Sequence, residues 1–349
     1  MTRELTIGAA RIHDDGECYV IAEIGHNHQG SVDRAKELFR AAKDCGVDAV
    51  KLQKRCNRTL YTRVLYDSPY DNENSFGATY GAHREALELR WDDYVELKRY
   101  AAEIGVTFFA TAFDVESADF LAKLGVPAFK IASGDLTNIP LIAHVATLGK
   151  PIIVSTGGGS MEDVQRMYDA VMPINPQLCI LQCTASYPAE PEDMNLHVIT
   201  TFRDRFPDVV IGLSDHQNGI AMADIAYLLG ARVIEKHFTL NRAWKGTDHA
   251  YSLEPVGMRK LVRDLRRVRA ALGTGEKQPL PLEKKALYKM GKKLVAAHAL
   301  EAGHVLTPAD IAIKSPNDGL PPYQRDAVIG RALARDLAED DTILFEDLV

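Results

Sequence analysis

The sequence predicts a (β/α)₈ barrel followed by a small β-rich module. Three observations carry this expectation. From residue 18 a unit of short β run, polar loop and amphipathic helix recurs eight times. Eight units in about 255 residues is the count and length of such a barrel. Beyond Gly291 the helical period gives way to short alternating runs.

The expected strands, in order, are Cys18–Glu23, Ala49–Gln53, Val106–Thr111, Ala128–Ala132, Pro151–Ser155, Leu178–Cys183, Val209–Leu213 and Arg232–His237. Helical spacing of apolar residues marks Val32–Cys45, Trp91–Ile104, Met161–Val171, Met222–Gly230 and Gly257–Leu272. An open, doubly wound sheet competes with the barrel, but it asks for Gly-x-Gly-x-x-Gly after the first strand. This chain has Gly25-His26-Asn27-His28-Gln29-Gly30 there. The barrel is expected over residues 1–275, a linker over 276–290 and the small module over 291–349. The linker is expected because Gly273–Pro281 is rich in turn formers. Inside the module, Ala299–Ile311 echoes Asp336–Leu348. A repeat this short is expected to have little core of its own.

Composition narrows the function. Hydrophobic residues make up 46% and charged residues 26%, an ordinary globular balance that permits a large core. A net charge of −7 argues against broad binding of nucleic acid or an anionic membrane. No apolar run is long enough to span a bilayer, and the first residues lack an apolar core that would mark a signal peptide. Five cysteines without a Cys-x-x-Cys pair suggest reduced thiols and a cytoplasmic setting. Cys179 and Cys183 are expected in the core.

A barrel gathers its reactive groups at strand C-termini. Here those ends carry Glu23, Lys51 with Gln53, Thr111, Lys130 with Ser133, Ser155 with Thr156, Thr184, Ser214 with His216, and Lys236 with His237. Parallel neighbouring strands bring His216 and His237 together, with Lys236 expected nearby. Two neutral imidazoles with open positions suit a borderline divalent cation that also holds substrate. Three lysines beside Thr156-Gly157-Gly158-Gly159-Ser160, which opens a helix, suggest an anionic, phosphate-bearing substrate. The long second loop, Arg55–Arg90, holds Tyr61, Tyr66, Tyr70, Asn74, Phe76 and Tyr80 and is expected to be a lid or binding loop, or else a passive insertion.

Other chemistries are open to these residues. His26-Asn27-His28 with Lys130 is similar to a metal-dependent amidohydrolase, but strands five, six and eight end in Ser155, Cys183 and His237. A Schiff-base aldolase using Lys130 needs a desolvated amine. A binding module on an inert scaffold leaves the polar ring unexplained.

Several motifs closely resemble the sialic acid synthase family. They are Ile21–Gly30, Ala49–Gln53, Lys130–Asp135, Gln182–Thr184 through Tyr187-Pro188, Gly212–His216, Glu235–Phe238, Gly246–His249 and Ser252–Pro255. Residues 286–349 resemble that family's C-terminal antifreeze-like (SAF) domain. The resemblance implies condensation of phosphoenolpyruvate with an N-acetylmannosamine-type aldehyde, free or 6-phosphorylated. The products are a nine-carbon 2-keto acid and phosphate. It implies Glu23 as the catalytic carboxylate. His216 and His237 would be ligands of a divalent metal, Mn²⁺ first, with Mg²⁺ or Co²⁺ as alternatives. Lys51, Thr111, Lys130, Ser133, Ser155 and Ser214 match phosphoenolpyruvate contacts. Gln53, Asn74, Asp135, Tyr187 and Asp248 match the sugar side. A domain-swapped homodimer, each SAF domain capping its partner's site, is implied as well. The chain departs from the pattern at Ala185, where many bacterial members have Asn, and at Ser315, where they have a sugar-contacting Arg. The stretch Thr79–Glu88 looks instead like the animal form.

Overall fold

The computed structural model describes residues 3–349 and divides into two compact units, one ending at Gly273 and one spanning Thr274–Val349. In the first, eight parallel strands close into a barrel: β3 (Tyr19–Gly25), β4 (Ala49–Lys54), β5 (Thr107–Ala112), β6 (Phe129–Ile131), β7 (Ile152–Ser155), β8 (Leu178–Cys183), β9 (Val210–Asp215) and β10 (Val233–His237). The order around the barrel follows the chain, and β10 closes on β3. All eight expected strands are present, with no end shifted by more than two residues. The helices Trp91–Ile104 and Met161–Val171 have the expected bounds.

A feature the sequence reading passed over precedes the barrel. β1 (Glu4–Ile7) and β2 (Ala10–His13) form an antiparallel hairpin. Leu5, Ile7 and Ile12 on its inner face are buried in the barrel's core. The period-two pattern was there to be read, in a run shorter than most strands.

The barrel strands show no alternation of exposure. β3, β9 and β10 are buried at every position. Helices cover the outside and side chains fill the inside, so both faces of each strand are dry. Two glycines permit close approaches in the barrel. Gly212 lets β9 approach β10, since a Cβ there would overlap the Val233 carbonyl. Gly25 has φ +55° and sits at a register shift between β3 and β4. A Cβ on it would meet Gln53 Nε2, Glu23 Oε1 and Asp248 Oδ2 at 3.1, 3.2 and 3.3 Å. Those three polar groups therefore converge over one bare backbone position.

The second unit pairs β11 (Lys293–Ala296) with β12 (Ile311–Lys314), carries the short helices Lys284–Met290 and Arg325–Val328, and is otherwise built of turns and isolated bridges. Contrary to the expectation of little core, it has one of its own, including Leu294, Leu306, Val328, Leu337 and Ile343. The internal echo is structural. Leu300 and Leu337 exchange backbone hydrogen bonds, and Asp310 and Asp347 cap equivalent turns by accepting from Thr307 N and Leu344 N. Burying each copy's apolar face against the other makes a core from a repeat too short to have one alone.

Candidate active site

At the C-terminal ends of the strands lies a cavity of about 570 Å³. Register explains who meets there. Glu23 of β3 pairs with Lys51 of β4 on one side and with His237 of β10 on the other. Thr111 of β5 pairs with Gln53 and with Lys130, and Glu235 pairs with Ser214. Of the residues singled out from sequence, Glu23, Lys51, Gln53, Thr111, Lys130 and Ser133 line the cavity, together with Ser155, Tyr187, Ser214, His216, His237 and Asp248.

The cations and carboxylates form one dry network. Lys51 Nζ lies 2.5 Å from Glu23 Oε2 and donates to Thr111 Oγ1 at 2.8 Å. Lys130 Nζ donates to Ser155 Oγ at 2.7 Å. Between the two lysines sits Glu235, its Oε1 at 3.5 Å from Lys51 and 3.6 Å from Lys130. Its other oxygen has no hydrogen-bond partner, and neither does Glu23 Oε2, whose contact with Lys51 has the distance but not the direction of a hydrogen bond. Burial, reinforced by Glu235, pushes the Glu23 carboxyl up to about 7 against the pull of Lys51. Burial pushes Glu235 up too, but Lys130 and Lys51 together hold it below its ordinary range. Burial lowers Lys130. Two carboxylates are thus driven apart, one ionised and one poised to exchange a proton near neutrality.

His216 and His237 do meet, with ring centroids 5.4 Å apart. Burial pulls both imidazoles down to about 4, so both keep a lone pair at neutral pH. His216 Nδ1 donates to the Thr184 carbonyl at 2.9 Å, which leaves Nε2 as its acceptor. His237 Nδ1 is buried without a partner and lies 3.9 Å from Asp248 Oδ2. Among the described residues no group of three or more His, Cys, Asp or Glu is arranged to hold a metal ion. The donor set is two neutral nitrogens, one of them orphaned. That fits a divalent ion which takes its remaining ligands from substrate and water.

Several expectations are corrected. Lys236 does not join the other lysines. It points to the outer face of β10, where it donates to Asp215 Oδ2 at 2.6 Å, and both side chains are buried. The inward positions on that strand are Glu235 and His237, because successive side chains alternate. The glycine run contributes only Gly157 to the lining. The helix it opens is already capped by Ser160 and by the Asp163 carboxylate, which occupies the place an anion would take. Asn74 and Asp135 lie outside the lining. Asn74 Oδ1 accepts from Gly246 N and so ties down the loop carrying Asp248, while Asp135 accepts from Asn138. His26 and His28 are used internally, by Arg55 and by Gly30 N.

Sequence reading also missed lining residues. Glu235 was visible beside His237 but was given no part. Tyr251, Arg55 and Arg84 had no strand-end signal. The long loop folds as three short helices, Asn57–Leu60, Arg63–Tyr66 and Tyr80–Leu87. Tyr61, Tyr70, Tyr80 and His83 stack within it, and Arg84 reaches the cavity from it.

Acid, base and cation sites carried on the ends of a closed parallel barrel define a β/α-barrel enzyme. More particularly, the chain belongs to the NeuB family, whose model matches residues 38–277, and an SAF domain model matches residues 293–349. It is 44% identical to human N-acetylneuraminate-9-phosphate synthase over 333 residues, 95% of this chain and 92% of that protein. It is 36% identical to N,N'-diacetyllegionaminic acid synthase of Legionella pneumophila over 95% of this chain and 94% of that one. The crystal structure of N-acetylneuraminic acid synthetase from Leptospira borgpetersenii, in complex with citrate, superposes with a TM-score of 0.71 at 31% identity. That match covers 82% of this chain and 95% of the other.

Proposed function

We propose that this chain condenses phosphoenolpyruvate with N-acetylmannosamine or a related hexose, giving a nine-carbon 2-keto acid and phosphate. The observation that carries the reading is the pairing of Lys51 and Lys130 with two unlike carboxylates beside two neutral imidazoles, all in one cavity. Its likeness to synthases named for nine-carbon acids supports it. Neither an amidohydrolase nor a Schiff-base aldolase explains this set as well.

In the reaction a bond forms between C3 of the enol and the aldehyde carbon, whose oxygen takes a proton. Water then adds at C2, and the C2–O bond breaks to release phosphate. Lys51 and Lys130 hold the anionic oxygens of phosphoenolpyruvate, with Thr111, Ser133, Ser155 and Ser214 supplying hydroxyl groups. Glu235 lies within ion-pair distance of both lysines in a buried site. Glu23, with a pKa near 7, moves the proton. His216 and His237 would hold a divalent cation, Mn²⁺ in this reading, which when bound supplies Lewis acidity toward the aldehyde oxygen. Gln53, Tyr187 and Asp248 face the sugar, and Asn74 positions the Asp248 loop.

The working form in this reading is a cytoplasmic homodimer in which each SAF unit caps its partner's barrel. The free cysteines of the described residues and the lack of any described helix able to cross a membrane accord with it. The test is phosphate release from phosphoenolpyruvate with a panel of aldehyde sugars, with and without Mn²⁺. Product that needs both substrates and is lost on chelation supports the reading. Hydrolysis without phosphoenolpyruvate, or borohydride trapping on Lys130, would overturn it. Mixing a Glu23→Gln chain with one lacking residues 286–349 tests the swap, since only a swapped dimer regains activity on mixing.

A further inference from the structure

The two imidazoles at the barrel mouth are held in different ways. His216 is fixed by the hydrogen bond from its Nδ1 to the Thr184 carbonyl at 2.9 Å. No hydrogen bond among the described residues holds the His237 ring. Its Nδ1 is buried without a partner, and Asp248 Oδ2 stands 3.9 Å away, beyond hydrogen-bond range. An imidazole turns about a broad, two-fold torsion, and a half-turn exchanges each nitrogen for a carbon. A ring that must present a lone pair in one direction needs something to hold its angle. Metal-binding histidines ordinarily get this from a partner on the second nitrogen.

What stands against His237 is Tyr251. The two ring centres are 4.9 Å apart with their planes at 66°, an edge-to-face contact. Tyr187 lies farther off, at 6.3 Å, and closes instead on His216 at 4.2 Å. Tyr187 and Tyr251 are 5.4 Å from each other, so four rings form one cluster with a phenol backing each imidazole. Tyr187 is 54% exposed and Tyr251 only 6%, so of the two phenols Tyr251 is the one packed firmly enough to serve as a wall.

The loop that carries Tyr251 is itself clamped. Leu253 N donates to the His237 carbonyl at 2.8 Å and Thr239 N donates to the Leu253 carbonyl at 2.9 Å, so the chain doubles back onto the end of β10. The Asn27 amide, 2% exposed, donates to the Phe238 carbonyl at 2.9 Å and to Ser252 Oγ at 3.1 Å. One buried side chain from the loop after β3 thus ties both arms together, and Tyr251 hangs between them over the imidazole. We propose that Tyr251 is a positioning residue, whose ring fixes the angle of the His237 imidazole as the Thr184 carbonyl fixes that of His216. It thereby sets the direction of the lone pair offered to a divalent cation. That the ligand is a cation rests on the function proposed above, whereas the hold on the ring does not.

The experiment has a binding arm and a structural arm, both on the full chain. Electron paramagnetic resonance measures Mn²⁺ binding by the unmodified chain and by Tyr251→Ala, Tyr251→Leu and Tyr251→Phe. Tyr251→Ala should raise the Kd about ten- to a hundredfold, while Tyr251→Phe, which keeps the ring, should stay within about threefold. Tyr251→Leu keeps most of the bulk without the ring and should fall between them, which guards against a loop that collapses around the smaller side chain. In metal-free crystals of Tyr251→Ala, the His237 ring should turn or spread over several angles while His216 keeps its bond to Thr184. An unmoved His237 ring overturns the proposal, as does Tyr251→Phe binding as weakly as Tyr251→Ala. Equal, measurable Mn²⁺ affinity in all four chains overturns it too. A ring released in Tyr251→Ala, with no Mn²⁺ bound even by the unmodified chain, upholds the positioning role and overturns the cation reading.

Discussion

Lys130 and Lys236 are both buried lysines on barrel strands with acidic partners, yet they stand on opposite faces of the sheet and in opposite conditions. Lys236 is finished chemistry. It bonds Asp215 Oδ2 and the Gln217 carbonyl, and Asp215 Oδ1 accepts from Gln217 N. On the inner face, Lys51 and Lys130 share Glu235, Lys51 also meets Glu23, and each carboxylate keeps an unpartnered oxygen. Satisfied buried polar groups rigidify a fold, whereas unsatisfied ones mark a place where something else must bind. A buried ion pair therefore identifies a site only when its accounts are left open.

Mutations on the two faces should part company. The largest effect is expected on the inner face, where Glu23→Gln should slow turnover by about 10²–10⁴-fold with little change in melting temperature. A near-normal rate would take Glu23 out of the mechanism. On the outer face, Lys236→Met strands the Asp215 carboxylate and should cost about 3–5 kcal/mol in denaturant unfolding. Rates per folded molecule should stay close to those of the unmodified chain, and a selective loss of rate would dissolve the distinction.

The imidazoles give a third comparison, with a readout other than activity. His216→Ala and His237→Ala should each abolish Mn²⁺ binding seen by electron paramagnetic resonance, while His28→Ala, whose ring is used inside the fold, should not. Equal Mn²⁺ binding by all three variants would remove the pair as ligands.

The smallest expected effect is in pH dependence. With its pKa raised to about 7, Glu23 keeps a proton in the folded chain that an unfolded carboxyl near 4.5 has released. Its stabilising share is therefore full at low pH and is lost as pH climbs from 4.5 through 7. Glu23→Gln should flatten that part of the stability profile and erase the limb near pH 7 in the rate profile. Profiles that superpose would show that Glu23 does not titrate there.

Much of the barrel was legible because its signals are local. Eight β runs alternate with helical periods, and polar residues recur where each run stops, so Glu23, Lys51, Lys130 and His237 could be named in advance. Arg55 and Arg84 could not. They come from a long second loop with no period to read: Arg55 is held at its start by Gln53 and Phe113, and Arg84 sits on the helix whose Tyr80 and His83 stack with Tyr61 and Tyr70. The N-terminal hairpin was missed for being short, and the core of the second unit because it arises only when two echoing segments meet.

The order of the strands, their polar ends and the family likeness were fixed by the linear sequence, since each depends on neighbours along the chain. Which residues face inward was decided only by tertiary structure. Strands β9 and β10 are buried on both faces, so no alternation of polarity distinguishes Glu235 from Lys236. Closing the barrel sets that parity, and a shift of one residue would exchange the site for the scaffold.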